Sequence, residues 1–355
     1  MAQLTIDKNK LSKNFDYLDA LFKKHDIQWS ITTKLLCGHK DLIQTVLDFD
    51  LNQYCDSRID NLKVIKDIQP NAETILIKPP QLKLVNDVVK YADISLNSEK
   101  STIQALSKAA EEQDVTHKVI IMIEMGEIRE GVMRDSFVDF YASVFELSHI
   151  DVVGVGTNLS CMSGVLPNQD KLIQLSLYKQ LVEAKFNKKI KYVSGGSSVT
   201  IPLIFQNRLP KGINHFRVGE TLFFGTDVYN DNVLPEMEHQ IFTLSADIIE
   251  MHKKPTSPSG KMGTTLEGKR KKVKAGKLEM GYRAIVDLGL LDVDEDHIEP
   301  QLENASIAGG SSDMYVVDLG DNDTDLQVGD RIHFSIDYMG ALRLLNSKYI
   351  DKKIL

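Results

Sequence analysis

The stretch Trp29-Ser-Ile-Thr-Thr-Lys-Leu-Leu-Cys-Gly-His-Lys-Asp-Leu-Ile-Gln-Thr-Val-Leu-Asp-Phe49 contains one complete strand–turn–helix unit. The run Trp29 to Thr33 reads as a short buried strand, Lys34 closes it, and Cys37-Gly-His39 marks a turn. From Asp41 to Phe49 apolar residues recur at helical spacing. The pattern repeats outward through the first two-thirds of the chain. Apolar runs follow at Gln53 to Cys55, Thr74 to Ile77, Asp93 to Leu96, Val119 to Ile123, Val152 to Gly156, Ile190 to Val193 and Ile213 to Val218. Helical segments separate them at Arg58 to Asp67, Leu84 to Tyr91, Glu99 to Glu112, Ser136 to Leu147 and Asp170 to Phe186, and a further helix, Lys10 to Phe22, precedes the first run. Strict alternation implies a parallel sheet, and about eight units imply closure into a (β/α)8 TIM-like barrel. A doubly wound open sheet is the competing arrangement; the count and the lack of a glycine fingerprint after the first strand disfavour it.

After Glu238 the texture changes. Phe242 to Met251, Tyr282 to Leu288, Met314 to Leu319 and Arg331 to Ile336 read as strands, and helical patterning largely vanishes. The expected organisation is an α/β barrel domain over residues 1–238 and a mostly-β domain over 239–355. A long exposed loop is expected near 252–277. Its cluster Lys269, Arg270, Lys271, Lys272 reads as a solvated loop tip rather than an anion site, because the rest of the chain is acidic.

Of the 355 residues 42% are hydrophobic and 26% charged, as in a globular protein of about two domains. Lys and Arg number 42 against 50 Asp and Glu, a formal charge of −8 that argues against a dedicated nucleic-acid binder. No apolar run approaches the roughly 18 residues needed to span a bilayer, and Met1 to Lys10 has no apolar signal core. The expected compartment is the cytoplasm. Cys37, Cys55 and Cys161 form no CxxC pair, which excludes a disulfide framework and a cysteine-based zinc site.

A barrel carries its active site at the C-terminal ends of its strands. Strand seven ends in Ser194-Gly-Gly-Ser-Ser198, whose glycines let backbone N–H groups approach a phosphate. Strand eight leads into Arg217-Val-Gly-Glu220, and barrels commonly bind phosphate with the loops after strands seven and eight. Each segment alone also reads as a turn with a helix cap. Lys34 closes strand one, where poor hydration in a barrel mouth would make its amine a usable nucleophile; a plain surface lysine is the alternative. A phosphorylated aldehyde needs both a lysine and an anion cradle, which makes pyridoxal 5'-phosphate the expected cofactor.

These residues resemble the alanine racemase-like, fold-type III pyridoxal-phosphate enzymes, most closely their ornithine racemase branch. The resemblance rests on Ser30-Ile-Thr-Thr-Lys34, Gly154-Val-Gly-Thr-Asn158, Tyr192-Val-Ser-Gly-Gly-Ser-Ser198, Phe216-Arg-Val-Gly-Glu220 and Gly310-Ser-Ser-Asp313, and it covers nearly the whole chain. It implies a head-to-tail dimer with active sites at the subunit interface. It also implies that Lys34 holds the cofactor as a Schiff base and exchanges the Cα proton. Ser197, Ser198, Gly219, Glu220 and Tyr338 would surround the phosphate, and Arg217 would face the pyridine nitrogen. Arginine cannot give up a proton, so it weakens the ring as an electron sink and favours prompt reprotonation at Cα. Arg129 would contact the substrate carboxylate or the cofactor's phenolic oxygen; a loop salt bridge is its other reading.

Three departures from the alanine racemases stand out. Leu290, in Asp287-Leu-Gly-Leu-Leu-Asp292, takes the place of the tyrosine that serves as the second acid/base. Asn158 replaces a ring-facing histidine, and Lys34-Leu-Leu-Cys-Gly-His39 is one residue shorter and lacks a tyrosine. Cys37, His39, Ser312 and Asp313 are the candidates for the second acid/base, with Ser312 and Asp313 also expected near substrate. Asp292, Asp294 and Asp313 are candidates to meet a cationic side chain. The expected function is racemisation of a basic or medium-sized amino acid, ornithine first. A fold-type III lyase and a non-catalytic pyridoxal-phosphate carrier are the alternatives. The lyase reading lacks the C-terminal His-x-Asp metal pair of the aldolases, and the carriers lack the β domain that this chain has.

Overall fold

A computed structural model of the chain describes residues 2–264, 268 and 279–355. It divides into two compact units, Lys10–His239 and a second made of Met1–Asn9 with Gln240–Leu355. The chain opens with β1 (Gln3–Ile6) and α1 (Lys8–Lys24), and then alternates. Its strands are β2 (Gln28–Thr32), β3 (Gln53–Asp56), β4 (Glu73–Leu76), β5 (Ile94–Asn97), β6 (His117–Met122), β7 (Ile150–Gly156), β8 (Tyr192–Ser194), β9 (Gly196–Ser197) and β10 (His215–Val218). The intervening helices are α2 (Lys40–Leu47), α3 (Ile59–Ile68), α4 (Val85–Tyr91), α5 (Lys100–Glu112), α6 (Phe137–Phe145), α7 (Gln169–Phe186), α8 (Ile201–Phe205) and α9 (Glu220–Phe224).

The sheet order is β8-β7-β6-β5-β4-β3-β2-β10-β9, every pair parallel. Because β9 continues β8 after the single residue Gly195, the order returns to its own start and the sheet closes. This is the expected barrel, and each of the eight apolar runs in the sequence lies on one of its strands. Its core is two-sided in chemistry. Cys55, Ile75, Ile94, Leu96, Ile120, Met122 and Tyr192 pack as one buried cluster. Burying each large apolar side chain contributes on the order of 1.5–3 kcal/mol. Room for them comes partly from Gly156, where a Cβ would lie 2.8 Å from Met122 Sδ and 3.2 Å from Ile120. A second set of buried residues is polar: Ser30, Thr32, Gln53, Ser194, His215 and Arg217.

A short hairpin, β11 (Thr226–Asp227) with β12 (Asn232–Val233), ends this unit. The second unit contains β13 (Phe242–Pro255), β14 (Met280–Val286), β15 (Ile298–Pro300), β16 (Ser306–Gly310), β17 (Tyr315–Asp318), β18 (Arg331–Ile336), α10 (Tyr338–Asn346) and β19 (Asp351–Ile354). Its antiparallel order is β15-β18-β13-β14-β17-β16. β1 pairs antiparallel with β13 and parallel with β19.

Three expectations are corrected here. The first nine residues belong with the β unit and not with the barrel, because β1 finds its hydrogen-bonding partners there. The strand begun at Phe242 continues past Met251 to Pro255, held by antiparallel pairing of His252 through Pro255 with Arg283 through Met280. A helix, α10, stands where helical patterning was not read; Asp337 caps it by accepting from the Gly340 N–H at 2.7 Å, and Ala341, Leu344 and Leu345 bury its inner face. The cluster Lys269 to Lys272 lies outside the described residues. No helix among the described residues is long and apolar enough to cross a membrane.

Candidate active site

Lys34 opens a single 3-10 turn, Lys34–Leu36, directly after β2. The residue before it is fixed from the neighbouring strand: Thr33 N–H donates to the Cys55 carbonyl at 2.9 Å, and Thr33 Oγ1 donates to Asp56 Oδ2 at 2.7 Å. Asp56, fully buried at the end of β3, also accepts from the Arg58 N–H and from Asn61 Nδ2. Burial pushes its carboxyl above the usual range, against the pull of these donors. The turn leaves through Cys37 at φ 50° and Gly38 at φ 77°. A Cβ on Gly38 would lie 2.7 Å from Asn61 Oδ1, so both conformation and space call for glycine. Lys34 itself is exposed on the single chain. The poor hydration expected of it is therefore not a property of this barrel mouth alone.

Across the same end of the barrel, β10 pairs with β9 so that Arg217 lies beside Ser197. Ser197 caps the next 3-10 turn in a reciprocal capping box with Thr200. Ser198 Oγ accepts from the Thr221 N–H at 3.2 Å, which ties this turn to the start of α9 behind Gly219 and Glu220. The structure thus brings Ser197, Ser198, Gly219 and Glu220 together. Arg217, 7% exposed, donates from Nη1 to the Ser194 carbonyl at 3.0 Å and to Ser194 Oγ, and from Nη2 to the Thr157 carbonyl at 3.0 Å. Burial works against its charge and pulls the guanidinium below its ordinary range. An arginine has five N–H donors, so these bonds leave capacity over. Asn97, 1% exposed at the end of β5, has a buried Oδ1 without a hydrogen-bond partner.

Arg129 lies in the loop after β6, in a charged knot that the sequence did not reveal. Its Nε and Nη2 engage both carboxylate oxygens of Glu130, and its Nη1 donates to Cys161 Sγ at 2.7 Å. Asn158 turns its amide oxygen to the same guanidinium, an orientation assigned from the network. The loop that carries Asn158 and Cys161 is fastened by Glu127, whose carboxylate accepts from the N–H groups of Cys161 (2.8 Å), Ser163 (2.8 Å) and Val165 (3.1 Å). Of the two readings the sequence offered for Arg129, the structure shows the loop ion pair, with Glu130. Glu127 and Glu130 flank it in Glu124-Met-Gly-Glu-Ile-Arg-Glu130, an acidic pattern that was the available signal.

Tyr338, Ser312 and Asp313 belong to the β unit. Tyr338 is the first residue of α10 and half-buried. Ser312 Oγ donates to Asp313 Oδ2 at 2.6 Å. The Leu290 stretch lies against this turn: Leu290 N–H donates to the Ser311 carbonyl at 3.0 Å and Leu291 N–H to that of Ser312 at 2.9 Å. Of the aspartates offered for a cationic side chain, Asp294 is engaged by Arg343 and Asp292 by Ser347 Oγ at 3.1 Å. Cys37 Sγ turns back toward the carbonyl of Leu35 at 3.4 Å, and His39 occupies the N-cap position of α2.

An amine, a cradle of hydroxyls and backbone N–H groups, and a donor-only guanidinium at one barrel end suit a phosphorylated aldehyde with a ring nitrogen. Barrel, β unit and lysine-bearing mouth define the class, that of the alanine racemase fold. The chain belongs to the alanine racemase family, whose N-terminal domain matches residues 6–227. It is 35% identical to an ornithine racemase of Acetoanaerobium sticklandii over 355 residues, 99% of both chains. A lysine racemase of Thermotoga maritima is 27% identical over 350 residues, 99% of this chain and 97% of that one. Among solved structures, an alanine racemase of Clostridium difficile 630 superposes with a TM-score of 0.77 at 16% identity, covering 100% of this chain and 95% of that one. An alanine racemase of Bartonella henselae with covalently bound pyridoxal phosphate gives 0.74 at 16% identity, covering 100% and 99%. At such identities the structural likeness is one of fold.

Proposed function

We propose that this chain interconverts L- and D-ornithine in the cytoplasm. As a member of the family it is an amino-acid racemase, an isomerase, and pyridoxal 5'-phosphate is its cofactor. The observation that carries ornithine is the 35% identity, along the full length, to an ornithine racemase. When bound, the cofactor supplies an aldehyde to capture the substrate amine and a ring to accept electron density from Cα.

The residues divide the remaining work. Lys34 holds the cofactor at rest, and its Nζ then removes or returns the Cα proton on one face. Ser197, Ser198, Gly219 and Glu220 would surround the phosphate. Arg217, a donor that cannot give up its proton, would face the ring nitrogen and keep it unprotonated, which would limit charge delocalisation and favour return of the proton to Cα. Asn158 and Arg129 orient the cofactor's phenolic edge and the substrate carboxylate. Ser312 and Asp313 approach the substrate from the β unit of a second copy in a head-to-tail dimer. Supporting such a dimer, the loops after β6 and β7, tied together through Glu127, expose Ile128 (78%), Met133 (57%) and Met162 (64%).

The test is incubation of cofactor-loaded protein with L-ornithine in deuterated water, followed by chiral separation and mass analysis. D-ornithine deuterated at Cα is expected. Turnover of lysine but not ornithine would move the substrate, and putrescine would replace the racemase with a decarboxylase. Borohydride reduction and peptide mapping are expected to find the pyridoxyl group on Lys34; any other lysine overturns the assignment.

A further inference from the structure

Arg217 is the head of a hydrogen-bonded chain that runs through the barrel interior. Ser194 Oγ accepts from Arg217 Nη1 and lies 2.7 Å from His215 Nδ1. His215 Nε2 lies 2.8 Å from Gln53 Oε1, and Gln53 Nε2 donates to Glu73 Oε2 at 2.7 Å. Ser194 and His215 are fully buried and Gln53 is 7% exposed. Glu73, Gln53 and His215 are the first residues of β4, β3 and β10, whereas Ser194 is the last of β8. The chain therefore links the base of the barrel to its mouth.

Its two ends fix the position of every proton between them. A guanidinium only donates and a carboxylate only accepts. Glu73 therefore makes Gln53 present its NH2 group, which turns Oε1 toward His215. That oxygen requires a proton on His215 Nε2, so the neutral ring has Nδ1 as acceptor. Ser194 then gives its hydroxyl proton to Nδ1 and keeps lone pairs for Arg217. All four links donate in one direction, from Arg217 to Glu73, and aligned hydrogen bonds polarise one another in a low dielectric. The neutral ring agrees with its surroundings: burial first, then the charges of Arg217 and Lys191, push the His215 pKa down to about 3.

We infer that Glu73, Gln53 and His215 are positioning residues for Arg217: by orienting Ser194, they hold the guanidinium as a fixed donor at the barrel mouth. The use of the chain rests on the proposed placement of Arg217 at the ring nitrogen; its existence does not.

Two measurements test it. In cofactor-free protein labelled with 15N-histidine, His215 is expected to show a pyrrole-type Nε2 and a pyridine-type Nδ1 between about pH 5 and 8. A pyrrole-type Nδ1, or an imidazolium in that range, overturns the chain. The second uses Gln53→Leu, which cuts the chain while leaving Ser194 and Arg217 in place. In loaded protein it is expected to lower kcat about tenfold with KM within about twofold. It should also shift the cofactor's visible absorbance in the same direction as Arg217→Lys. Should Gln53→Leu not fold, Ser194→Ala removes one hydroxyl and asks the same question. Unchanged kcat and absorbance in the variant overturn the positioning role. If Arg217→Lys leaves the absorbance unchanged while His215 keeps its tautomer, the placement of Arg217 falls and the hydrogen-bonded chain stands.

Discussion

Thr33 Oγ1 donates to Asp56 Oδ2 at 2.7 Å, one residue before Lys34. The lysine's side chain is exposed on the single chain, and the backbone that leads into it is held at Thr33. Asp56 secures that backbone with a buried carboxylate facing only donors. Asp56→Asn puts an NH2 group among them and is expected to lower stability by about 1–3 kcal/mol. Thermal unfolding with cofactor titration reads it: melting temperature and cofactor affinity fall together. Wild-type values for both would remove Asp56 from any role at Lys34.

Gly38→Ala addresses the other end of the same turn. At φ 77° and 2.7 Å from Asn61 Oδ1, the new Cβ adds roughly 1–2 kcal/mol of backbone strain and a clash. Turnover is expected to fall more steeply than stability, because the strain is local to Lys34. Chemical denaturation alongside steady-state kinetics separates the two.

The knot around Arg129 gives a prediction about a loop. Glu127→Ala leaves three N–H groups, those of Cys161, Ser163 and Val165, without their charged acceptor. A cost of about 3 kcal/mol is expected, confined to residues 157–168. Limited proteolysis should find new cleavage in that stretch. Glu130→Gln keeps the loop but releases one side of Arg129, and is expected to raise KM for the amino acid more than it lowers kcat.

Acid sensitivity follows from two buried histidines. Burial pushes His117 down to about 4 and His215 down to about 3, so both are neutral in the fold and charge on unfolding. A depressed histidine contributes stability that is complete above the unfolded pKa of about 6.5 and is lost as pH falls toward the folded value. Each pH unit of that window is worth about 1.4 kcal/mol per group. Urea unfolding at neutral pH and near pH 5 is expected to show a loss of a few kcal/mol, and His117→Asn should make the dependence shallower.

The barrel was legible because its strands are short, β-branched and separated by strongly periodic helices. β1 was not: Gln3-Leu-Thr-Ile6 has only two fully buried positions, and its partners lie more than 200 residues away in the sequence. α10 was hidden for a similar reason, since Tyr338 reads as readily as a strand end as a first helical residue. Of the residues proposed for the site, Lys34, Ser197, Ser198 and Arg217 could be picked out by their position at strand ends. Glu127 and Glu130 did not, because an acidic residue in a charged loop looks solvated until its partners are placed. Gln53 and His215 sit at strand starts, the end of a barrel where function is not sought.

β1 pairs with β13 and β19, so Gln3 lies against both Ser245 and Asp351. During synthesis the first strand must wait for β13, more than 200 residues further along, and for β19, more than 300 residues further along, before its hydrogen bonds are made. The barrel needs no such delay, since all its strands lie between Gln28 and Val218. Vectorial synthesis thus favours an order in which the barrel closes before the β unit is completed.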